Sequence, residues 1–178
     1  MKILHISDTH SKHKELKDLP YTDIIIHSGD ITENGTENEV FDFINWFEAL
    51  DYKYKIFIYG NHDLSLYGND IEGLNRNTFF LENKMIKIEG LQIYGTFSGN
   101  FDYIPYDTDI LITHIPPMGI LDGENTLYGD YELLKKVFEV KPKLHLFGHI
   151  HESHGQEIIN NITFSNASSI GMYNIFNL

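Results

Sequence analysis

Five short apolar runs in this chain break off at the same kinds of residue. Asp8-Thr9-His10 follows Lys2–Ser7, Gly29-Asp30 follows Asp23–His27, and Gly60-Asn61-His62-Asp63 follows Tyr54–Tyr59. His114 follows Asp109–Thr113, and Gly148-His149-Ile150-His151 follows Lys143–Phe147. Runs of this length bounded by polar turns read as strands. In open α/β sheets, ligands bind outside the carboxyl ends of the strands. Five strands that each deliver Asp, Asn or His there define a polar mouth along one edge of the fold.

The other elements complete the architecture. Thr36-Glu37-Asn38-Glu39 has the spacing of a capping box, and Val40, Phe43, Ile44, Phe47 and Leu50 recur at helical spacing behind it. Asp42, Asn45 and Glu48 take the opposite face, so a helix is expected over 38–50. The order βαβαβ in the first third implies a parallel sheet with helices packed outside it. Met85–Glu89 and Leu91–Gly95 alternate around Gly90 as an antiparallel hairpin, and Tyr131–Val140 is a second amphipathic helix with Leu134 and Phe138 on one face. Gln156–Asn160, Ile162–Ser165 and Met172–Phe176 read as a closing meander. The expected fold is α/β (α+β), a four-layer αββα sandwich of two mixed sheets flanked by helices. No repeat or linker interrupts the 178 residues, so 1–178 reads as one domain.

Composition narrows the chemistry. The chain has no Cys, which excludes disulfides, thiolate metal sites and cysteine nucleophiles. A net charge of −13 disfavours long nucleic acids and anionic membranes as partners. The N-terminus turns polar too soon for a signal peptide and no apolar run approaches a membrane span, so a cytoplasmic protein is expected. Asp-X-His and His-X-His put alternate side chains on one face of an extended segment, where each pair can grip one metal ion. Oxygen and imidazole donors without sulfur suit Mn, Fe, Zn, Ni or Co, with Mn the first choice. The set is large enough for two divalent ions if one carboxylate is shared, and a pair of ions is the arrangement that clamps a phosphoryl group. Hydrolysis at phosphorus is the expectation.

Asp8-X-His10, Gly29-Asp30, Gly60-Asn61-His62-Asp63, His114 and Gly148-His149-X-His151 together resemble, in order, the signature of the calcineurin-like metallophosphoesterase superfamily. A narrower resemblance, to the metallophosphoesterase-domain-containing branch related to class III cyclic nucleotide phosphodiesterases, rests on four segments. They are Glu89–Gly95, Thr113–Gly119, Lys141–Gly148 and Asn166-Ala167-Ser168. The resemblance implies Asp8, His10, Asp30 and His151 at one metal. It implies Asn61, His114 and His149 at the second, with Asp30 bridging. His62 is then the non-ligand histidine that protonates the leaving oxygen, and the attack is by a hydroxide that the two metals hold. Some members of the narrower branch carry Gly where this chain keeps His149.

The sequence departs from the phosphoprotein phosphatases of that superfamily after Asp30, where no further Asp or Arg follows in Ile31-Thr32-Glu33-Asn34-Gly35. No acid is thereby assigned to orient His62. Arg76 is the only arginine and lies in no motif. Dianionic monoesters usually call for Arg forks, so a small, nucleotide-like or cyclic phosphodiester is the favoured substrate, ahead of a phosphomonoester. A catalytically idle scaffold is the alternative from another class, although such scaffolds lose a ligand or the catalytic His and none is lost here. His5, His27 and His145 are expected as packed histidines, His13 as a solvated loop residue, and His154 in a surface loop. Asn166 suits either a turn or a supporting contact at the site. Tyr67, Phe97, Phe101 and Tyr103 sit in polar loops where a nucleobase could stack, with loop packing the default. A short loop between Gly95 and Asp109 suggests an open site.

Overall fold

In the run Ile24-Ile25-Ile26 successive side chains leave opposite faces of one strand. Ile24 and Ile26 join Ile3, Ile56, Ile110 and Leu144 in one buried cluster, whereas Ile25 joins Val40, Phe43 and Phe47 in another. Such a split requires a sheet covered by a second sheet on one face and by a helix on the other. The computed structural model describes residues 1–97, 101–124 and 126–178, and the statements below concern these. The strands in chain order are β1 (Lys2–Ile6), β2 (Ile24–His27), β3 (Tyr54–Phe57), β4 (Thr78–Phe80), β5 (Lys84–Ile88), β6 (Leu91–Gly95), β7 (Ile110–Ile112), β8 (Leu144–Phe147), β9 (Gly155–Ile159), β10 (Ile162–Asn166) and β11 (Asn174–Asn177). The helices are α1 (Glu37–Ala49) and α2 (Tyr131–Val140).

One sheet has the order β11-β1-β2-β3-β4, the other β5-β6-β7-β8-β10-β9. Parallel pairs run through the middle of each, and antiparallel pairs (β1 with β11, β5 with β6, β10 with β9) make both sheets mixed. α1 covers the outer face of the first sheet through Val40, Phe43 and Phe47. α2 covers the second through Leu133, Val137 and Val140, which pack with Leu111, Phe147 and Phe164. This is the expected αββα sandwich. Ile-rich strands fill the space between the sheets, where area burial favours the folded state by about 25 cal/mol per Å² of apolar surface.

Three details differ from the sequence reading. The segment between β1 and β2 holds only the single 3₁₀ turn His13–Glu15, so the βαβαβ order reduces to one helix, α1, between β2 and β3. β4, three residues long and followed closely by β5, was not expected. The closing meander is split. β9 and β10 form a hairpin, with β10 parallel to β8, but β11 crosses to the other sheet and pairs with β1. Burial explains the crossing: Phe176 fills the core between the sheets, and Asn174 donates to the Ser165 hydroxyl and the Asn166 carbonyl beneath the site.

The capping box forms as expected. Thr36 Oγ1 accepts from the Glu39 amide at 3.3 Å, and the Thr36 amide donates to the Glu39 carboxylate at 3.0 Å. Glu39 also accepts from Ser11 Oγ and from the Glu33 and Asn34 amides, so it ties the loop after β1 and the loop after β2 to the start of α1. Replacing Thr36 by Ala is expected to cost about 1 kcal/mol of stability, which urea unfolding would read as a lower midpoint with an unchanged slope. No helix among the described residues is long and apolar enough to cross a membrane.

Candidate metal centre

Asp8, Asp30, His10 and His149 share an unusual backbone: φ is 53°, 56°, 43° and 72° respectively, the left-handed region that side chains other than Gly rarely adopt. Strain of this kind persists where the surroundings over-determine it. Here each chain reversal comes directly off a strand end and turns a donor group toward the same point. Glycine makes the close approach possible twice. A Cβ on Gly60 would run into the Asp30 carboxylate, and one on Gly148 into the Asp8 carboxylate and the Ser7 hydroxyl.

The donors meet as follows. Asp8 Oδ1 lies 3.3 Å from His151 Nε2 and 3.9 Å from His10 Nε2. Asp30 Oδ2 lies 3.3 Å from His114 Nε2 and 3.9 Å from His10 Nε2. Asn61 Oδ1 is 3.0 Å from His114 Nε2. Three overlapping groups of possible ligand atoms result, Asp8-His10-His151, His10-Asp30-His62 and Asp30-His114-His149, each with its atoms within 4.8 Å of one another. All the residues singled out in the sequence as ligands are therefore brought together, and His62 stands beside them with its ring 4.7 Å from that of His10. His10, Asp30, Asn61, His62, His149 and His151 border a cavity of about 410 Å³, whose wall is completed by Lys12, Glu33 and Ile170.

Charge and hydrogen bonding in this cluster fit a bound cation. Asp8 and Asp30 are buried carboxylates, and Lys12 is the one Lys or Arg side chain along the cavity wall among the described residues. His10 Nε2 and His151 Nε2 face each other at 3.4 Å, and His10 Nδ1 is buried without a hydrogen-bond partner. Burial pulls the His114 pKa down, but the hydrogen bond and charge of Asp30 override it and raise it to about 9. Burial works to raise Asp8, yet His151, the His114 charge, Ser7 and the His149 amide hold it well below the usual carboxylate range. Imidazoles thus compensate buried negative charge here in the way a divalent ion does in full.

A layer of buried histidines supports the loops from below. His27 Nδ1 accepts from the Gly29 amide, which leaves Nε2 to donate to Thr9 Oγ1, between Asp8 and His10. His145 Nε2 lies 2.9 Å from the hydroxyl of Thr113, the residue before His114. His5 bridges the Ser165 and Ser28 hydroxyls, and the Ser28 carbonyl accepts from His114 Nδ1 at 2.9 Å. Burial lowers the pKa of all three, His27 and His145 to about 3, so each keeps one donor and one acceptor nitrogen at neutral pH. Carbonyl and hydroxyl partners of this kind fix the tautomer and angle of a metal-binding ring. Asn166 does the same for the last loop, donating to Ile150 O between His149 and His151.

Two functional contacts were not legible in the sequence. The partner of His62 is a carbonyl: Nδ1 donates to Glu33 O at 2.9 Å, while the His62 amide donates to Asp30 Oδ1 at 2.9 Å. Asp63 faces away from the His62 ring. Fully buried, it accepts from the Ile31, Thr32 and Gly60 amides and from Thr32 Oγ1, and so fastens the loop after β2 to the loop after β3. A Gly-Asn-His-Asp run gave no indication of which way its last residue turns.

One more expectation needs correcting, and the loop aromatics Tyr67, Phe97 and Phe101 pack as expected by default. His13 is buried rather than solvated, packed on Phe43 and Trp46 with Nε2 3.4 Å from Asp42. Phe101 is a core residue. Tyr67 and Phe97 pack on each other and on Tyr59, and Phe97 stacks on His114. Tyr103 is exposed, and His154 is half-buried. Of the loop between Gly95 and Asp109, residues 98–100 lie outside the described residues.

The comparisons agree with this architecture. Among solved structures, a protein of Thermus thermophilus superposes with a TM-score of 0.70 at 12% identity over 99% of this chain and 98% of that one. A novel archaeal phosphodiesterase gives 0.54 at 18% identity, covering 96% and 86%. At these identities the likeness is one of fold. Metallophosphoesterase domain-containing protein 1 of Homo sapiens is 35% identical over 211 aligned residues, 92% of this chain and 64% of that protein. UPF0046 protein K07C11.7 of Caenorhabditis elegans is 32% identical over 94% of this chain and 69% of its own length. The chain thus spans about two-thirds of the length of these relatives. The family model described as Calcineurin-like phosphoesterase matches residues 1–153, which contain every strand-end donor described above, and the chain belongs to that family.

Proposed function

We propose that this chain is a metal-dependent phosphodiesterase for small, nucleotide-like or cyclic substrates. The observation that carries the reading is the shared position of Asp30, whose Oδ2 faces His114 on one side and His10 on the other. Asp8, His10, Asp30 and His151 would hold one divalent ion, and Asp30, Asn61, His114 and His149 a second, with Mn the first choice among Mn, Fe, Zn, Ni and Co. Bound there, such ions supply positive charge against the phosphoryl oxygens and acidify water.

The chain's own residues do the rest. Asp30 is oriented by the His62 amide. His62 commits Nδ1–H to Glu33 O, so the proton it gives to the leaving oxygen is carried on Nε2. Gly148 and Gly60 let the loops close without a side chain in the way. Lys12 is the one Lys or Arg along the cavity wall among the described residues, which suits a monoanionic diester better than a dianionic monoester. The surface charge of −13 favours small substrates over long polyanions.

After metal stripping and reconstitution with Mn(II), bis-p-nitrophenyl phosphate is expected to turn over with a higher kcat/KM than p-nitrophenyl phosphate. A clear preference for the monoester would replace the diesterase reading with that of a phosphatase. Two bound metals without turnover of either ester would leave a scaffold or a very selective enzyme.

A further inference from the structure

Glu33 holds a place at the centre that no ligand assignment uses. Its backbone is fixed from both sides: the amide donates to Ser11 Oγ and Glu39 Oε1, and the carbonyl accepts from His62 Nδ1. From this pinned turn the side chain lies on the cavity wall, with Oε2 3.7 Å from His10 Nδ1 and about half its surface exposed to the cavity and solvent. Asp8 and Asp30 are buried and surrounded by imidazoles and amide donors. Among the described residues, Glu33 is thus the one carboxylate on the cavity wall that is not sunk among the donors. Lys12 lines the same cavity.

We propose that Glu33 is a specificity-determining residue that keeps a second negative charge away from the phosphoryl site. The inference rests on the phosphoesterase reading above and deepens it by naming what enforces the choice between esters. A diester presents one negative charge to the cavity and a monoester presents two near neutral pH. The extra charge meets the Glu33 carboxylate in a half-solvated setting. One unit-charge interaction at a few ångströms there is worth about a tenfold discrimination. Charge, rather than the number of ester bonds, is then the property read.

The test compares the Mn(II)-reconstituted protein with its Glu33→Gln and Glu33→Ala variants on three p-nitrophenyl substrates. They are the bis-ester (one charge), the phosphate monoester (two charges) and the methylphosphonate (one charge, one aryl ester). Wild type is expected to treat the methylphosphonate like the diester. Both variants are expected to raise monoester kcat/KM relative to the other two by about tenfold. Calorimetric binding of methyl phosphate against dimethyl phosphate gives a second readout that needs no turnover, with the same relative shift expected. If the variants lower all three substrates in proportion and leave both ratios unchanged, Glu33 only orients His10 and the proposal is overturned. If wild type turns over no ester yet the binding ratio moves with the variants, the proposal on Glu33 stands and the catalytic reading fails.

Discussion

His62→Ala is expected to lower kcat on the diester by about 10³-fold, within the range that a positioned general acid contributes, while metal content is unchanged. The side chain is what the reaction uses. The backbone amide that orients Asp30 survives the substitution, and the Ala variant removes no member of the groups built around Asp8-His10-His151 and Asp30-His114-His149. Metal analysis of the purified variant, read beside its kinetics, checks both halves. Loss of one ion together with activity would make His62 a ligand, a role open to it through the His10-Asp30-His62 group. Retained activity would end its role as acid.

Asp63→Ala is expected to destabilise the protein by about 3 kcal/mol or more. The carboxylate is buried and satisfies the amides of Ile31, Thr32 and Gly60 together with the Thr32 hydroxyl. Alanine leaves these donors stranded at about 1–3 kcal/mol each before relaxation. For a chain of this size that corresponds to a Tm lower by about 6–12 °C. Asp63→Asn keeps the shape but turns one acceptor into a donor aimed at the Ile31 or Gly60 amide, so its stability is expected to fall between wild type and the Ala variant. A Tm within a degree of wild type for the Ala variant would show that water or a loop shift replaces those bonds.

The parts of this molecule legible in the sequence are those set by local pattern. The order of strand-length apolar runs and amphipathic helices indicated the sandwich, Thr36 and Glu39 the start of α1, and polar residues after apolar runs the donors. What the sequence hid depends on contacts between distant segments. β11 reads like a third meander strand until the partner of Phe176 and Asn174 is known, and three residues are too few for β4 to show a period. His13 looks like a loop histidine because its neighbours are Lys residues, yet a 3₁₀ turn rolls it under α1. Glu33 and Asp63 sit in polar runs where every side chain is a candidate for solvent. Only the fold shows that one carboxylate fastens loops and the other stands at the mouth.

The pairing of β1 with β11 also sets a timetable. Lys2 is in register with Asn177, so β1 is synthesised well before the strand that hydrogen-bonds its outer edge. Until then the nascent chain carries β1 with an open edge and an inter-sheet core that lacks Phe176. Contacts of such long sequence separation slow folding, because loop closure must precede their reward. The donor loops after β1, β2 and β3 are synthesised before β11, but the sheet that aims them is finished only once β11 has joined it.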